Sequence, residues 1–269
     1  MYGTRPGIHA IRYVISELLH RGSVFTVILL FVDLFAGAVR LDAQNVIFLE
    51  HGKIEFEKKV NLYADLDEDD SWSEVEKRAM PKFKSTYFDL LFSGEKTLYR
   101  PGRENTDNNK LYGLKVAQDN VVFSQLDSSK SISQKNVFEE LFLVKDSTRR
   151  IQWKITDESR VVAGFSCRRA NAIVMDSVYV VAFYTDDIIT PGGPESFNGL
   201  PGMILGVSLP HQHMSWFATR VENTEVSAAD LRIPGKGKKI SNAELKAMLK
   251  DRMKDWGKFA QRSMEAVML

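Results

Sequence analysis

Cysteine is almost absent from this sequence, which contains one, Cys167, among 269 residues. A single cysteine cannot form an internal disulfide, and it excludes zinc or iron–sulfur sites that need several thiolate ligands. The sequence also lacks an excess of charge of either sign, because 36 basic residues nearly balance 35 acidic ones. No overall field therefore attracts nucleic acid, and no local basic patch in the sequence indicates RNA or DNA binding.

Recognisable catalytic motifs are missing as well. The sequence contains neither the Gly-x-Ser-x-Gly pattern of a nucleophile elbow nor the His-Glu-x-x-His pattern of a zinc-protease helix. Paired acids such as Asp186 and Asp187 lack the spacing of a calcium-binding hand and are interpreted as solvated turns. The 44% of hydrophobic and 26% of charged residues are ordinary for a globular protein. We therefore predict a packed core and find no catalytic activity evident in the sequence.

An apolar stretch near the N-terminus resembles an export signal. It reads VFTVILLFVDLFAGA over residues 24–38, follows Arg12 and Arg21, and ends in small residues. A basic flank, a short apolar region and a small-residue exit are the three parts of a secretory signal peptide. The stretch is shorter than the roughly 20 apolar residues of a membrane-spanning helix, the main alternative, and contains Asp33. We expect residues 1–44 to be a cleaved signal, which makes the mature protein periplasmic or secreted, without a stable membrane span.

Strand-like alternation dominates the sequence after residue 44. Ile54, Phe56 and Val60 alternate with charged or polar residues, as in a half-buried strand. Similar segments follow at short intervals with polar turns between them: 86–92, 96–100, 120–126, 138–144, 151–155, 160–174, 178–185, 203–209 and 214–222. This spacing predicts a mainly β domain over residues 45–233, with an antiparallel sheet that forms a sandwich or an incomplete barrel.

Helical signals occur at two places. A capping-box pattern predicts a short helix near 73–80. From 241 to 264, apolar residues recur at three- and four-residue steps, which predicts one amphipathic helix capped by Ser241 or Asn242. The basic segment PGKGKK before it is interpreted as a flexible connector, so residues 234–269 form a connector and a C-terminal helix. We expect this helix to cover a face or edge of the sheet, with a membrane or partner surface as the alternative.

The densest motif is a glycine- and proline-rich loop, GGPESFNGLPGMILGVSL, at residues 192–209. Glycine permits positive φ angles and close backbone approach, and proline restricts the direction of the loop. A phosphate-binding loop would need a following helix and usually a lysine, but here a strand is predicted and lysine is absent. The motif is therefore interpreted as structural.

At this motif the chain resembles the GLPGLI family. The hexapeptide that names the family stands here as GLPGMI, which comprises Gly199, Leu200, Pro201, Gly202, Met203 and Ile204. The upstream segments IQWKITDESRVVAGFSCRRANA and VAFYTDDIITPGGPESFNGLPG resemble the family's landmarks in their usual order, over about residues 150–210. Similarity is weaker from Ile54 onward, and Met203 replaces the usual leucine conservatively. The resemblance implies an exported protein of a family found mainly in Bacteroidetes, for which no biochemical activity is established.

One candidate metal site is visible in the sequence. His211 and His213 lie in PHQHMSW, and in an extended chain their side chains share a face and could clamp copper or zinc. Met214 could add a thioether ligand, and a third ligand would have to come from His51 or a distant acid. The alternative interpretation is a polar hairpin tip.

Three functions follow from these features. The first is an exported cell-envelope accessory or binding protein of unknown ligand, which contacts an envelope partner or an apolar ligand. The second is a periplasmic copper or zinc handling protein that uses His211 and His213. The third is a hydrolase whose site is assembled only in the fold. Cys167 lies between strand-like residues, and we expect it to be a buried structural thiol.

Overall fold

The computed structural model describes residues 48–66, 71–105 and 119–269. The predicted signal peptide, 1–44, lies outside the described residues. Within the described ranges, no helix is both long enough and apolar enough to cross a membrane.

The described residues form one sheet of 12 strands in the order β12-β6-β5-β4-β3-β2-β1-β11-β10-β9-β8-β7. Its strands are β1 (His51–Asn61), β2 (Phe83–Ser93), β3 (Lys96–Pro101), β4 (Val121–Gln125), β5 (Lys130–Val137), β6 (Glu140–Ser147), β7 (Lys154–Val162), β8 (Phe165–Val174), β9 (Val178–Thr185), β10 (Met203–Leu209), β11 (Met214–Glu222) and β12 (Lys238–Ile240). Neighbours pair antiparallel except β12 and β6, which are parallel. The mainly β, antiparallel prediction is confirmed.

Three α-helices accompany the sheet in the described part of the chain: α1 (Ser71–Ala79), α2 (Asn242–Arg252) and α3 (Lys258–Met268). Short 3-10 turns lie at Leu62–Asp65 and Pro210–Gln212. The helix predicted near 73–80 is confirmed as α1, which begins two residues earlier than expected.

The sheet is open but strongly curled. Helix α3 contacts both β5, where Lys135 Nζ donates to Val267 O, and the turn between β8 and β9, where Ser177 Oγ donates to Glu265 Oε1. Strands β5 and β8 are eight places apart in the strand order, which would separate them by roughly 35–40 Å in a flat sheet. Because Glu265 and Val267 are two residues apart on one helix, the sheet must wrap around α3. The curled open sheet agrees with the incomplete-barrel form of the prediction.

The main core lies inside this curl. Alternating side chains of β1 and β2, such as Ile54, Phe56 and Phe88, are fully buried in it. The loop between β9 and β10, residues 186–202, adds Phe197 and Leu200 to the same core. Hydrophobic burial on the concave face therefore holds the glycine-rich loop against the sheet.

The strands predicted from the sequence differ from the structure at three places. Residues 151–155 were predicted as a strand, but β7 begins only at Lys154. Residues 160–174 were predicted as one strand, but Ala163 and Gly164, with φ angles of 49° and 89°, form a hairpin turn between β7 and β8. Strand β5 was not predicted at all. Its inward positions include Ser133 and Lys135, so it lacks the apolar alternation that marks the other strands.

The C-terminal segment also differs from the prediction. Instead of one helix it forms α2 and α3, which are separated at Gly257, where φ is 54°. Of the two predicted caps, Ser241 is the N-cap, and it forms a capping box with Glu244. The capping box predicted from Ser73 is wrong, because α1 begins at Ser71 and Ser73 lies inside the helix. The predicted flexible connector contributes β12, which pairs with β6. Leu245 and Leu249 of α2 pack with β5–β6 side chains, so this segment covers the sheet as expected.

Candidate ligand-binding site

A polar cleft lies beside the hairpin of β5 and β6, and we call it the β5–β6 cleft. Its volume is about 390 Å³, and its walls come from β5, the end of β6, the segment after β6, the start of α2 and the end of α3. Among the described residues, its lining includes the cations Lys135, Arg149 and Arg150 and the hydroxyl groups of Ser131, Ser133, Ser147, Thr148 and Ser196. Ser131, Ser133 and Lys135 alternate along β5, so the pleat of one strand directs all three into the cleft.

Lys135 is the most deeply placed cation of the cleft. It is 4% exposed, and its Nζ donates a hydrogen bond of 2.7 Å to the backbone oxygen of Val267. Burial lowers the pKa of Lys135 to about 8; the carboxylate of Glu195 opposes this shift, and the charges of Arg149 and Lys58 add to it. A carbonyl partner satisfies one N–H but leaves the positive charge without a counter-ion.

Arg149 is anchored at two points. Its Nε donates to Ser196 Oγ at 3.1 Å, and its Nη2 donates to the backbone oxygen of Met268 at 2.5 Å. Burial lowers the pKa of Arg149, although arginine stays charged at all ordinary pH values. Neither partner is a carboxylate, so the guanidinium is held in place by neutral groups.

The cleft carries more positive than negative charge. Across the described ranges, no carboxylate lies within ion-pairing distance of Lys135, Arg149 or Arg150. Among the described lining residues, Asp146 has the one acidic side chain. Its two oxygens accept hydrogen bonds from the backbone N–H groups of Ser147, at 2.8 Å, and Asn242, at 3.1 Å. Asp146 is therefore committed to the end of β6 and the start of α2.

A second, more open cleft of about 330 Å³ adjoins the first. The two share Thr148, Arg149 and Arg150, and the second continues to Pro191 and Asn198 in the loop between β9 and β10. The segment 148–150 thus forms a common wall, and Arg150, which is exposed, can reach a ligand in either cleft. This arrangement has room for a ligand longer than a single small ion.

The hexapeptide GLPGMI lies at the end of the glycine-rich loop and leads into β10. Gly199 has a φ of 88° and donates its N–H to Pro191 O at 3.1 Å. Leu200, Met203 and Ile204 are buried, and Pro201 is exposed. Gly202 has a φ of 134°, and a Cβ there would collide with the backbone oxygen of Thr185. A positive φ angle at Gly199 and close backbone approach at Gly202 are therefore the local reasons for glycine at these two positions.

Trp153, one of the landmarks on which the family resemblance rests, contacts the same loop. Its Nε1 donates to Asn198 O at 2.9 Å, next to Gly199. Cys167, another landmark, is fully buried, and burial raises its pKa to about 11. The buried structural role expected for this thiol is therefore what the structure shows, and its high pKa disfavours a nucleophilic role.

The two histidines proposed as metal ligands are at an exposed tip. His211 lies in the 3-10 turn between β10 and β11, and His213 follows it in a left-handed conformation. The extended chain assumed for a shared face is therefore not formed. His51 lies at the other end of β1 from His213, about 30 Å away along an 11-residue strand. No group of three metal-ligating side chains occurs in the described part of the chain. Metal binding by this pair stays a prediction, tested by the metal content of the double alanine variant.

Sequence reasoning missed the three cations of the β5–β6 cleft. Single lysines and arginines are common at protein surfaces, and Lys135 and Arg149 lie 14 positions apart on different elements. The one usable signal was that β5 alternates polar residues where a core-facing strand would alternate apolar ones. That pattern indicates a polar face that needs a partner.

Comparison with known proteins gives a fold and a partial family match. A family model described as "Protein of unknown function (Porph_ging)" matches residues 173–206, which include the complete GLPGMI hexapeptide. No curated protein has significant sequence similarity to the chain. A solved structure of PNGF-II in the P21 space group is similar over 74% of this chain and 33% of that chain, with 15% identity and a TM-score of 0.50. A second, in the C2 space group, has 14% identity and a TM-score of 0.49 over 74% of this chain and 32% of that one.

The chain thus spans about a third of the length of the PNGF-II chain that it resembles. At 15% identity this likeness concerns the fold alone. The fold and the site together describe a curled, open β-sheet protein with a cationic cleft.

Proposed function

We propose that this chain is an exported accessory protein of the GLPGLI type that binds a small polar ligand in the β5–β6 cleft. The observation that carries the proposal is a cleft of about 390 Å³ in which Lys135 and Arg149 are fixed by hydrogen bonds to Val267, Ser196 and Met268. Fixed polar groups in a concave site of this size are typical of small-molecule sites.

Export and family membership are supported by separate features. The N-terminal pattern of residues 1–44 supports export, and the family match over 173–206 supports membership of the GLPGLI type. The hydroxyl-rich and cationic lining favours a polar ligand over the apolar ligand expected from the sequence. A partner protein of the cell envelope remains a second prediction.

The test is to ask what the folded protein carries. The full chain is expressed with its own N-terminus and recovered from the envelope fraction; N-terminal sequencing then reports processing near residue 44. Native mass spectrometry of the same sample reports any bound small molecule. We expect a mass above that of the mature chain, which disappears on denaturation.

A variant that fills the cleft locates the bound molecule. Ser131→Trp places a large side chain in the lining, whereas Ser166→Trp places the same side chain at an exposed position of β8 and serves as the control. Binding should be lost in the first variant and kept in the second, with unchanged circular dichroism in both. If Ser131→Trp retains the ligand, the site is elsewhere; if neither the parent nor any variant carries or binds a small molecule, the proposed function is wrong.

A further inference from the structure

We infer that the β5–β6 cleft is an oxyanion site, in which Arg149 and Lys135 hold a carboxylate, sulfate or phosphate group of the ligand. This inference rests on the proposed function and adds the chemical class of the bound group. Its basis is the juxtaposition of two anchored cations, Lys135, which is buried, and Arg149, which is half-buried. Neither has a carboxylate within ion-pairing distance in the described structure.

Charge is the first argument. A buried charge is costly unless an opposite charge and hydrogen bonds compensate it. The carbonyl oxygens of Val267 and Met268 supply hydrogen bonds but no net charge. Glu195, the carboxylate that acts on Lys135 electrostatically, lies 3.5 Å from Lys58 and is paired with it. The lining therefore has three cationic side chains, those of Lys135, Arg149 and Arg150, against the one carboxylate of Asp146, and a bound anion would offset this excess of positive charge.

The remaining hydrogen-bond donors are the second argument. Arg149 has five N–H donors, of which Ser196 and Met268 engage two, and Lys135 has three, of which Val267 engages one. Hydroxyl groups of Ser131 and Ser133 line the same cleft. Charged donors and hydroxyls that face one space form the donor set that binds carboxylate, sulfate or phosphate oxygens.

The adjoining cleft gives room for the rest of the ligand. Arg150 belongs to both linings and is exposed, so it can approach the anion from the rim. The second cleft is lined by polar groups such as Gln152 and Asn198. We expect the anionic group to sit in the β5–β6 cleft and a polar body to extend over segment 148–150.

The experiment uses the full chain and simple anions as probes. Sodium sulfate, sodium phosphate and sodium acetate are titrated calorimetrically at constant ionic strength, with sodium chloride making up the balance. We expect saturable binding of at least one oxyanion and a matching rise in Tm, neither of which chloride produces. Acetate against sulfate and phosphate distinguishes a carboxylate ligand from a tetrahedral one.

Matched variants connect binding to the cleft. Arg149→Gln should weaken binding about tenfold or more, because charge-assisted hydrogen bonds are lost. Arg150→Gln, at the rim, should weaken it less than threefold, and Arg168→Gln, exposed on β8, should leave it unchanged. Ser131→Asp adds a competing carboxylate while keeping both cations; it should abolish binding, and it decides the matter if Arg149→Gln does not fold.

The two proposals can fail separately. If the oxyanions behave like chloride, or if both Arg149→Gln and Ser131→Asp bind as the parent does, the oxyanion inference is wrong. A neutral molecule that co-purifies and is expelled by Ser131→Trp would leave the binding function standing while refuting the oxyanion. Absence of any cleft ligand would refute both.

Discussion

Lys58 and Glu195 form an ion pair inside the curled sheet, with 3.5 Å between Lys58 Nζ and Glu195 Oε1. The ammonium group also lies 5.0 Å from the ring centroid of Trp216. Asn120 Nδ2 donates to the second carboxylate oxygen at 3.0 Å. Because Lys58 belongs to β1 and Glu195 to the loop between β9 and β10, the pair fastens the glycine-rich loop to the middle of the sheet.

Removal of the charge of Glu195 should be strongly destabilising. Glu195→Gln leaves the largely buried Lys58 without its counter-ion, and loss of one partner of a buried pair costs about 3 kcal/mol. Urea unfolding of the variant measures the loss. The control is Glu158→Gln, which breaks the exposed pair between Glu158 and Arg169 and should cost less than about 1 kcal/mol. Equal stability of the two variants would contradict the role assigned to Lys58 and Glu195.

Gly202 should not tolerate a side chain. Gly202→Ala would place a Cβ against Thr185 O at a φ of 134°, and we expect a loss of about 2 kcal/mol or more in the free energy of unfolding. Gly235→Ala is the matched control, because a Cβ at Gly235 meets no atom within 4 Å. A Gly202→Ala protein as stable as the control would show that the loop does not require glycine there.

Cys167 should be unreactive in the native protein. Its side chain is fully buried, and its pKa is raised to about 11 by burial, so thiolate is scarce at pH 8. An Ellman-type thiol reagent should modify it only at the rate of unfolding, and completely in denaturant. Rapid modification of the folded protein at pH 8 would show that the thiol is accessible and would reopen a nucleophilic role.

The buried ammonium of Lys135 should give stability a recognisable pH dependence. Its folded pKa of about 8 is below the 10.5 of an ordinary lysine, so between these values the unfolded chain binds the extra proton. Stability therefore rises with pH from about 8 to 10.5 through this group, and the contribution is flat below 8. Urea unfolding of the parent and of Lys135→Met at pH 7 and pH 10 isolates the effect. All other titrating groups are common to both proteins, so their contributions cancel in the difference between the two free energies of unfolding. A pH-independent difference would show that Lys135 is not buried as described.

Oxyanion affinity should show the opposite trend. Binding needs the protonated form of Lys135, so sulfate affinity should be constant below about pH 8 and decrease above it, by up to about tenfold per unit. Calorimetry at pH 7, 8 and 9 measures the slope. The Lys135→Met variant, which lacks the titrating group, should bind weakly with no such slope, and a parent affinity that is flat to pH 9 would remove Lys135 from the site.

Much of the sheet was predictable because its strands either alternate apolar and polar residues, as β1 does, or are continuously apolar, as β10 is. The segments 203–209 and 214–222 were predicted from their apolar composition, and the structure has β10 and β11 with the same bounds. Strand β5 was missed because Ser133 and Lys135 occupy its inward positions. The same polar face that hid the strand makes it a wall of the candidate site.

The sequence alone determined the class of the fold, because the period of its apolar residues is local. It also predicts a structural role for the GLPGMI motif from the conformational freedom of its glycines. Only the tertiary structure decided where a ligand could bind. Lys135, Arg149 and Ser196 are remote in the chain and meet because β5 pairs with β6 and the sheet curls around α3. His211 and His213 are close in sequence, but they lie at an exposed tip, and the described residues bring no third metal-ligating side chain to them. Local pattern reports which side chains turn inward, whereas a binding site depends on long-range contacts that no local pattern encodes.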